Sequence, residues 1–236
     1  MTEEIFRNDA YAKQCQARVT GVDEAGIRLD RTVFYPMGGG QPGDTGVLRL
    51  AGGAEIRISD TRKDDASGEI VHVPDSQPAA DLVGKDVEAC IDWERRHRLM
   101  RMHTLMHLLC AVVPAGVTGG SIRDGSGRLD FDLPESTLDK EHITAELNRL
   151  VEENHPVSAR WISDEELAAN PDLVRTMSVK PPMGTGKVRV LHVEGVDLQP
   201  CGGTHVAATG EIGRVRVRKI EKKGKHNRRV NLEFVE

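Results

Sequence analysis

At Trp93 the hydrophobic period of the chain changes from about two to about 3.6, which divides it into a β-rich first part and a mixed second part. Before Trp93, "QARVTGV" and "GIRLDRTVFYP" are β-branched and alternating, "GVLRLAGGAEIRISDTR" reads as a hairpin and "GEIVHVP" as a further strand. "GGGQPGDTG" is a turn-rich loop, and "GKDVEACIDW" is the last strand and the exit. Many short strands at regular spacing argue for a small barrel or sandwich. From Trp93, "WERRHRLMRMHTLMHLLCAVV" repeats Leu99, Met102, Met106, Leu109 and Val113 at helical spacing, with Asp92 as N-cap and Pro114 as stop. "GSIRDGSGRLDFDL" alternates again, with Leu129, Phe131 and Leu133 on one face. In "ESTLDKEHITAELNRLVEENHP", Ser136 opens an S-x-x-D cap, and Ile143, Leu147, Leu150 and Val151 form the stripe of a second helix. "PVSARWIS" and "KVRVLHVEGV" read as strands with a short helix or loop between them; "GRVRVRKIE" and "RRVNLEFVE" follow, joined by "KKGKHN". The chain has no internal repeat and no low-complexity segment. The expected class is α+β: a small N-terminal β-barrel over residues 1–90, then an α/β domain over 91–236 with a mostly antiparallel sheet and two main helices.

Several function classes fall away on composition. No run approaches the ~18 consecutive apolar residues of a membrane span. "MTEEIFRNDAYAKQ" has acids early and no apolar core, so it is not a secretory signal, and a soluble cytoplasmic protein is expected. Four cysteines, widely and irregularly spaced, make no disulfide framework. Cys15, Cys90 and Cys110 read as buried small hydrophobes, whereas Cys201 sits among glycines and polar residues. The net charge of −5 hides an uneven distribution. Residues 1–92 carry 17 acids against 10 bases, but residues 213–229, "GRVRVRKIEKKGKHNRR", hold nine bases and one acid. Such a cluster suits a phosphate-binding surface. It equally suits a solvated strand edge protected by Lys and Arg.

"CGGTHVAATGEIG" places Cys201 and His205 four residues apart in a glycine-rich stretch, and one Cys with one His does not hold a metal. "HTLMH" supplies two more donors: His103 and His107, at i and i+4, share one helix face about 6 Å apart along the axis. Three histidines and a cysteine are the N/S chemistry of zinc. A zincin protease would need Glu after the first His; that position is Thr104, which argues against a peptidase. A closed four-ligand site is structural, while a loosely held Cys201 leaves room for water or substrate; sequence leaves both open.

"RMHTLMHLL", then "GSIRDGSGRLDFDL", then "DLQPCGGTHVAATGEIG" resemble the editing domain of alanyl-tRNA synthetase and its free-standing relatives, the AlaX proteins. The editing domain of threonyl-tRNA synthetase shares the His and Cys pattern more distantly. "FYPMGGGQPGDTG" looks like the glycine-rich motif that precedes that domain. The resemblance runs from about residue 20 to the end and fits the medium-length AlaX class. It implies one zinc ion on His103, His107, Cys201 and His205, with Cys201, Thr118 and Ser121 in the catalytic pocket. It further implies substrate contacts from Gly38, Gly39, Gly40, Gln41 and Asp44, and places Arg228 and Arg229 at the tRNA end. Arg214, Arg216, Arg218, Lys222, Lys223 and Lys225 form the basic face expected to neutralise acceptor-stem phosphates. The implied activity is ATP-independent hydrolysis, in trans, of the ester of mischarged Ser-tRNA(Ala), with Gly-tRNA(Ala) as a second substrate. The partner is mischarged tRNA(Ala), with neither DNA nor membrane, and the oligomeric state is a monomer or weak dimer. Two positions depart from the synthetases: Met106 replaces a common Thr, and Thr118 a Gln, which leaves the residue that reads the serine hydroxyl open. The alternative function is a non-catalytic tRNA-binding module with a structural zinc. A third reading, a zinc hydrolase of small esters, has no use for the basic tail.

Overall fold

The computed structural model describes residues 2–76, 80–133, 138–177 and 186–235. They fall into two compact units, Met1–Arg98 and Leu99–Glu236. No helix among the described residues is long and apolar enough to cross a membrane.

The first unit is a closed six-stranded barrel. Its strands are β1 (Gln14–Asp23), β2 (Gly26–Leu29), β3 (Gly46–Leu50), β4 (Glu55–Lys63), β5 (Ile70–Pro74) and β6 (Asp86–Ile91), in the order β1-β2-β5-β4-β3-β6. Every pairing is antiparallel, and β6 closes the ring by pairing with β1 as well as β3. Alternate residues point inward, so Ala17 and Val19 of β1, Leu48 of β3 and Val87 and Ala89 of β6 meet in one core. Closure leaves no long edge to protect. Glu3–Glu4 adds a short parallel pairing with Arg31–Thr32. His72 is buried inside β5: its Nδ1 donates to Ile27 O at 3.0 Å, and its Nε2 lies 2.8 Å from the Thr32 hydroxyl. Burial lowers its pKa to about 4.

The loop between β2 and β3 carries the glycine-rich motif. Gly38 and Gln41 exchange backbone hydrogen bonds across a tight turn in which Gly39 and Gly40 both have positive φ, where a side chain would be strained. Gly43 is required for a different reason, since a Cβ there would lie 1.9 Å from Thr61 O. The loop is pinned from beneath by Asp44, 1% exposed, which accepts from Tyr35 N at 2.6 Å and from Arg96 Nε at 2.9–3.0 Å. Arg96, also fully buried, spends its remaining donors on Ala10 O and Val33 O.

α1 (Trp93–Val112) begins in the first unit and continues into the second. The Asp92 carboxylate accepts from Arg95 N at 3.1 Å, as an N-cap should. The five stripe residues expected from the sequence are all buried, but so are Met100, Leu105 and Leu108, so the helix has no solvated face through its middle. It is covered from two sides. One cover is the four-stranded antiparallel sheet β12-β13-β8-β7, formed by β7 (Val117–Arg123), β8 (Ser126–Asp132), β12 (Val215–Lys223) and β13 (Asn227–Phe234). Gly120 and Gly127 let Met102 and Met106 press onto that sheet; a Cβ at Gly127 would be 2.8 Å from Met102 Sδ. The other cover is a three-stranded antiparallel sheet of β9 (Val157–Ser163), β10 (Lys187–Val193) and β11 (Asp197–Pro200). α3 (Asp164–Ala169) packs Leu167 against the far face of that sheet, on Ile162, Val188 and Val190.

α2 (Lys140–Glu152) buries Ile143, Leu147, Leu150 and Val151, the expected stripe. Its start differs from expectation. Asp139 is the N-cap, accepting from Glu141 N and His142 N, so the helix begins after the position expected to close the cap box. Ser136 lies outside the described residues. The Asp139 carboxylate both accepts the orphan amides and complements the helix dipole.

Candidate metal centre

α1 and the loop after β11 bring four donors together. His103 and His107, one helical turn apart, face Cys201 and His205, and the ligand atoms of all four lie within 4.8 Å of one another. Cys201 Sγ is 3.6 Å from His103 Nε2 and 3.1 Å from His205 Nε2. A tetrahedral zinc with ordinary Zn–N and Zn–S bonds has ligand–ligand edges of roughly 3.3–3.6 Å. The donor set and its spacing therefore fit a zinc-type ion. The three histidines are buried, and Cys201 is half-buried as a residue with its thiol enclosed by the imidazoles.

The loop is held rigidly by its own neighbours. Arg189 Nη1 donates to Cys201 O at 2.9 Å and Gly203 O at 3.0 Å, and Cys201 N returns a bond to Arg189 O. Burial would raise the Cys201 thiol, but the three imidazoles outweigh it and hold the group well below its ordinary value. The cysteine is thus set to be a thiolate, the form that ligates.

Two side chains stand behind the ligands, Thr104 beside His205 and Asp197 beside His107, and neither is marked by a spacing motif. The Thr104 hydroxyl donates to Met100 O at 3.0 Å and lies 3.2 Å from His205 Nδ1. With its proton committed to Met100, Thr104 accepts from Nδ1–H and leaves His205 Nε2 bare toward the cluster. Asp197 Oδ2 sits 3.9 Å from His107 Nδ1 and accepts from Gln199 Nε2 at 2.5 Å, while Arg175 Nη2 lies 3.0 Å from its other oxygen. His107 Nδ1 is buried and makes no hydrogen bond among the described residues, so a small approach by Asp197 would complete a carboxylate–histidine pair. Replacing Thr104 with Val, which keeps the shape and removes the acceptor, is expected to weaken zinc binding about 10- to 100-fold in a chelator competition. Unchanged affinity would show that His205 needs no such support.

The other expected site residues are placed as follows. Thr118 is the extra residue of a β-bulge: Asp130 pairs with Gly119 and Phe131 with Val117. Its hydroxyl lies 3.1 Å from both Asp130 O and Asn227 Oδ1, so Thr118 is engaged with its own sheet. Ser121 is half-buried on the same strand, opposite Arg128. In the glycine-rich loop Gly39 and Gly40 are exposed, whereas Gln41 and Asp44 are buried beneath them. Of the basic residues, Arg229 makes a two-pronged bond to Asp130 at 2.7 and 2.8 Å, and Arg216 pairs with Glu233 at 2.7 Å. Arg218 approaches Glu233 at 3.8 Å, and Lys223 reaches Glu221 at 3.5 Å. Arg228 is half-buried next to it on β13. Arg214, Lys222 and Lys225 are exposed and make no ion pair among the described residues.

Known proteins resemble this chain in sequence over both units. The family model described as the threonyl and alanyl tRNA synthetase second additional domain matches residues 188–231, which span β10, the CGGTH loop and the basic hairpin. The model for class II (A) tRNA synthetases matches residues 4–95, the barrel unit. Fold and site together define a protein of the tRNA-synthetase editing class. At the level of whole chains, the alanyl-tRNA editing protein AlaX-M of Methanosarcina acetivorans is 37% identical over 242 residues, covering 98% of each chain. AlaX-L of Pyrococcus horikoshii is 31% identical over 98% of this chain and 58% of its own length. The alanine–tRNA ligase of Pyrobaculum neutrophilum is 36% identical over 94% of this chain and 25% of the ligase. The chain belongs to the AlaX family of alanyl-tRNA editing proteins.

Proposed function

We propose that this protein removes serine from mischarged Ser-tRNA(Ala) in trans, with Gly-tRNA(Ala) as a second substrate. As a family member it is an aminoacyl-tRNA hydrolase acting in alanyl-tRNA editing. The observation that carries the finer reading is the four-donor cluster at the CGGTH loop, in a chain that matches free-standing editors over nearly its whole length. Alanine and serine differ by one hydroxyl, which a synthetic pocket cannot strongly reject, so a second site must remove the error.

His103, His107, Cys201 and His205 would hold zinc, which when bound supplies positive charge beside the ester and its attacking water. The chain's own residues supply order around it. Arg189 fixes the backbone of the Cys201 loop, and Thr104 aims His205. Asp197, the carboxylate beside His107, is held by Gln199 and Arg175, which suits an orienting role and not that of a free base. Recognition of serine falls to hydroxyl-bonding groups; Thr118, Ser121 and the glycine-rich loop are the candidates, the loop on family resemblance alone.

The deciding experiment compares initial rates of deacylation for Ser-tRNA(Ala), Gly-tRNA(Ala) and Ala-tRNA(Ala) with zinc-replete protein. Serine should be lost and alanine spared, with discrimination reaching up to about 10⁴–10⁵ if the site is built to bond the hydroxyl. Equal loss of serine and alanine would overturn the substrate assignment. No turnover of any of them would leave an RNA-binding module with a structural zinc.

Lys222 and Lys225, exposed and without ion pairs among the described residues, are the cations best placed to meet phosphate. Reversing both to Glu is expected to flatten the plot of log affinity for tRNA against log salt by about 1.5. A filter-binding salt series reads this directly, and an unchanged slope would remove the hairpin from the tRNA interface.

A further inference from the structure

We infer that Trp161 is a stacking platform for the terminal nucleobase of the aminoacyl-tRNA; the inference rests on the proposed editing function and extends it to the nucleotide that carries the ester. Trp161 on β9 pairs with Arg189 on β10, and Cys201 N bonds to Arg189 O one residue past the end of β11. Residues directly opposite in antiparallel strands share a face, so Trp161, Arg189 and Cys201 form one row across the sheet. Neighbouring strands lie about 4.8 Å apart, which puts the backbone of Trp161 about 10 Å from that of Cys201.

Burial confirms which face this is. Asp197, Gln199, Leu191, Val193 and Arg189 all lie on it and are buried. The cover is α1, whose His107 and His103 meet Asp197 and Cys201. That cover stops short of β9: Ala159 and Trp161 are exposed, Trp161 by 50%. On the opposite face of the same strand Ile162 packs on Leu167 and Val188, while Ser158 and Arg160 are exposed. Trp161 therefore lies open at the end of the row that contains a metal ligand, joined to it by the arginine that fixes the ligand's loop.

A nucleobase suits this position. A substrate with its 3′-terminal ribose ester at the cluster must place the base of that nucleotide within a few bond lengths of the ester. A flat aromatic surface beside the cluster accepts any base by its π-face, and in an RNA ligand it needs no matching hydrogen bonds. Recognition by stacking also leaves the amino acid side chain free to be judged at the pocket.

Two measurements test the assignment. Trp93 is the second of the chain's two tryptophans, so Trp93→Phe leaves Trp161 as the sole indole emitter. Titration of that protein with uncharged tRNA(Ala) should quench emission, and the same tRNA lacking its terminal adenosine should quench far less. Equal quenching by the two RNAs, or none by either, overturns the proposal. In deacylation, Trp161→Ala should raise KM for Ser-tRNA(Ala) about 5- to 150-fold, the usual worth of stacking one base on an aromatic, and leave kcat within about twofold. Trp161→Phe should recover most of the loss. A Trp161→Ala protein with unchanged KM, or one altered only in sedimentation, would mark the residue as inert or as a contact between copies and overturn the proposal. If the wild type hydrolyses no charged tRNA, the editing assignment fails on its own, and the quenching experiment still decides whether Trp161 stacks on RNA.

Discussion

Cys201→Ala is expected to lower the rate of Ser-tRNA(Ala) hydrolysis by more than about 100-fold, the upper end of what loss of a ligand's outer partner costs. The sulfur is the donor that the other three converge on, 3.1 and 3.6 Å from two imidazole nitrogens. It is also the only anionic donor of the set, so its removal leaves three imidazoles gathered around a divalent ion with no balancing charge. Because Cys→Ala removes a single side-chain atom, the substitution opens little buried space, and the fold should survive it. That expectation separates the two roles of the metal. A catalytic site predicts a folded, inactive protein with reduced zinc content. A purely structural site predicts loss of the cooperative unfolding transition together with the zinc. Far-UV circular dichroism, zinc analysis and the deacylation rate on one preparation read all three. Cys201→Ala protein with wild-type activity would end the assignment of Cys201 to the site.

The barrel is legible where a strand is buried on one side only, as in Gln14–Asp23, which writes a period of two into the sequence; Ile70, Val71 and His72 are consecutive and all buried, and there the β-branched residues and flanking turns carry the signal. α1 was legible as a helix but not as a helix covered on both sides. In the sequence its apolar stripe forms one face, whereas in the structure Met100, Leu105 and Leu108 continue the buried surface around it. The ligand pairs carry local spacing signals, i to i+4 in both cases, but no spacing joins residues 98 positions apart; the complementary donor chemistry of the two pairs suggests that link, and family resemblance adds to it. Asp197 was missed because a four-residue strand ending in Pro gives little alternation to read. The signal was present in "DLQPC", where Asp197, Gln199 and Cys201 fall on one side of an extended chain. The basic stretch was counted correctly, but the count could not show that Glu233 and Asp130, on neighbouring strands, engage Arg216 and Arg229. Partners across a sheet are set by register, and register is a property of the fold.

Asp44 shows the same limit and leads to the second large effect. Within "GGGQPGDTG" it looks like any turn aspartate, and the resemblance places it among substrate contacts. Its carboxylate is buried against Arg96, 52 residues later, and against the Tyr35 amide. Removing it leaves a guanidinium with no exposed surface and no counter-charge, a situation that costs about 3–5 kcal/mol when one partner of a buried pair is deleted. For a unit of this size each kcal/mol moves the midpoint by about 4–8 °C, so Asp44→Ala should lower the barrel's Tm by roughly 12 °C or more. Arg96→Met should be similarly damaging, since it strands the carboxylate. The double variant Asp44→Leu with Arg96→Met should recover much of the loss, because two apolar groups leave no charge unpaired. A residue that only touches substrate behaves differently: Asp44→Ala would then raise KM for Ser-tRNA(Ala) at unchanged Tm. The thermal midpoint therefore decides whether the glycine-rich loop is anchored by Asp44 from below, with only its exposed glycines left to meet a ligand.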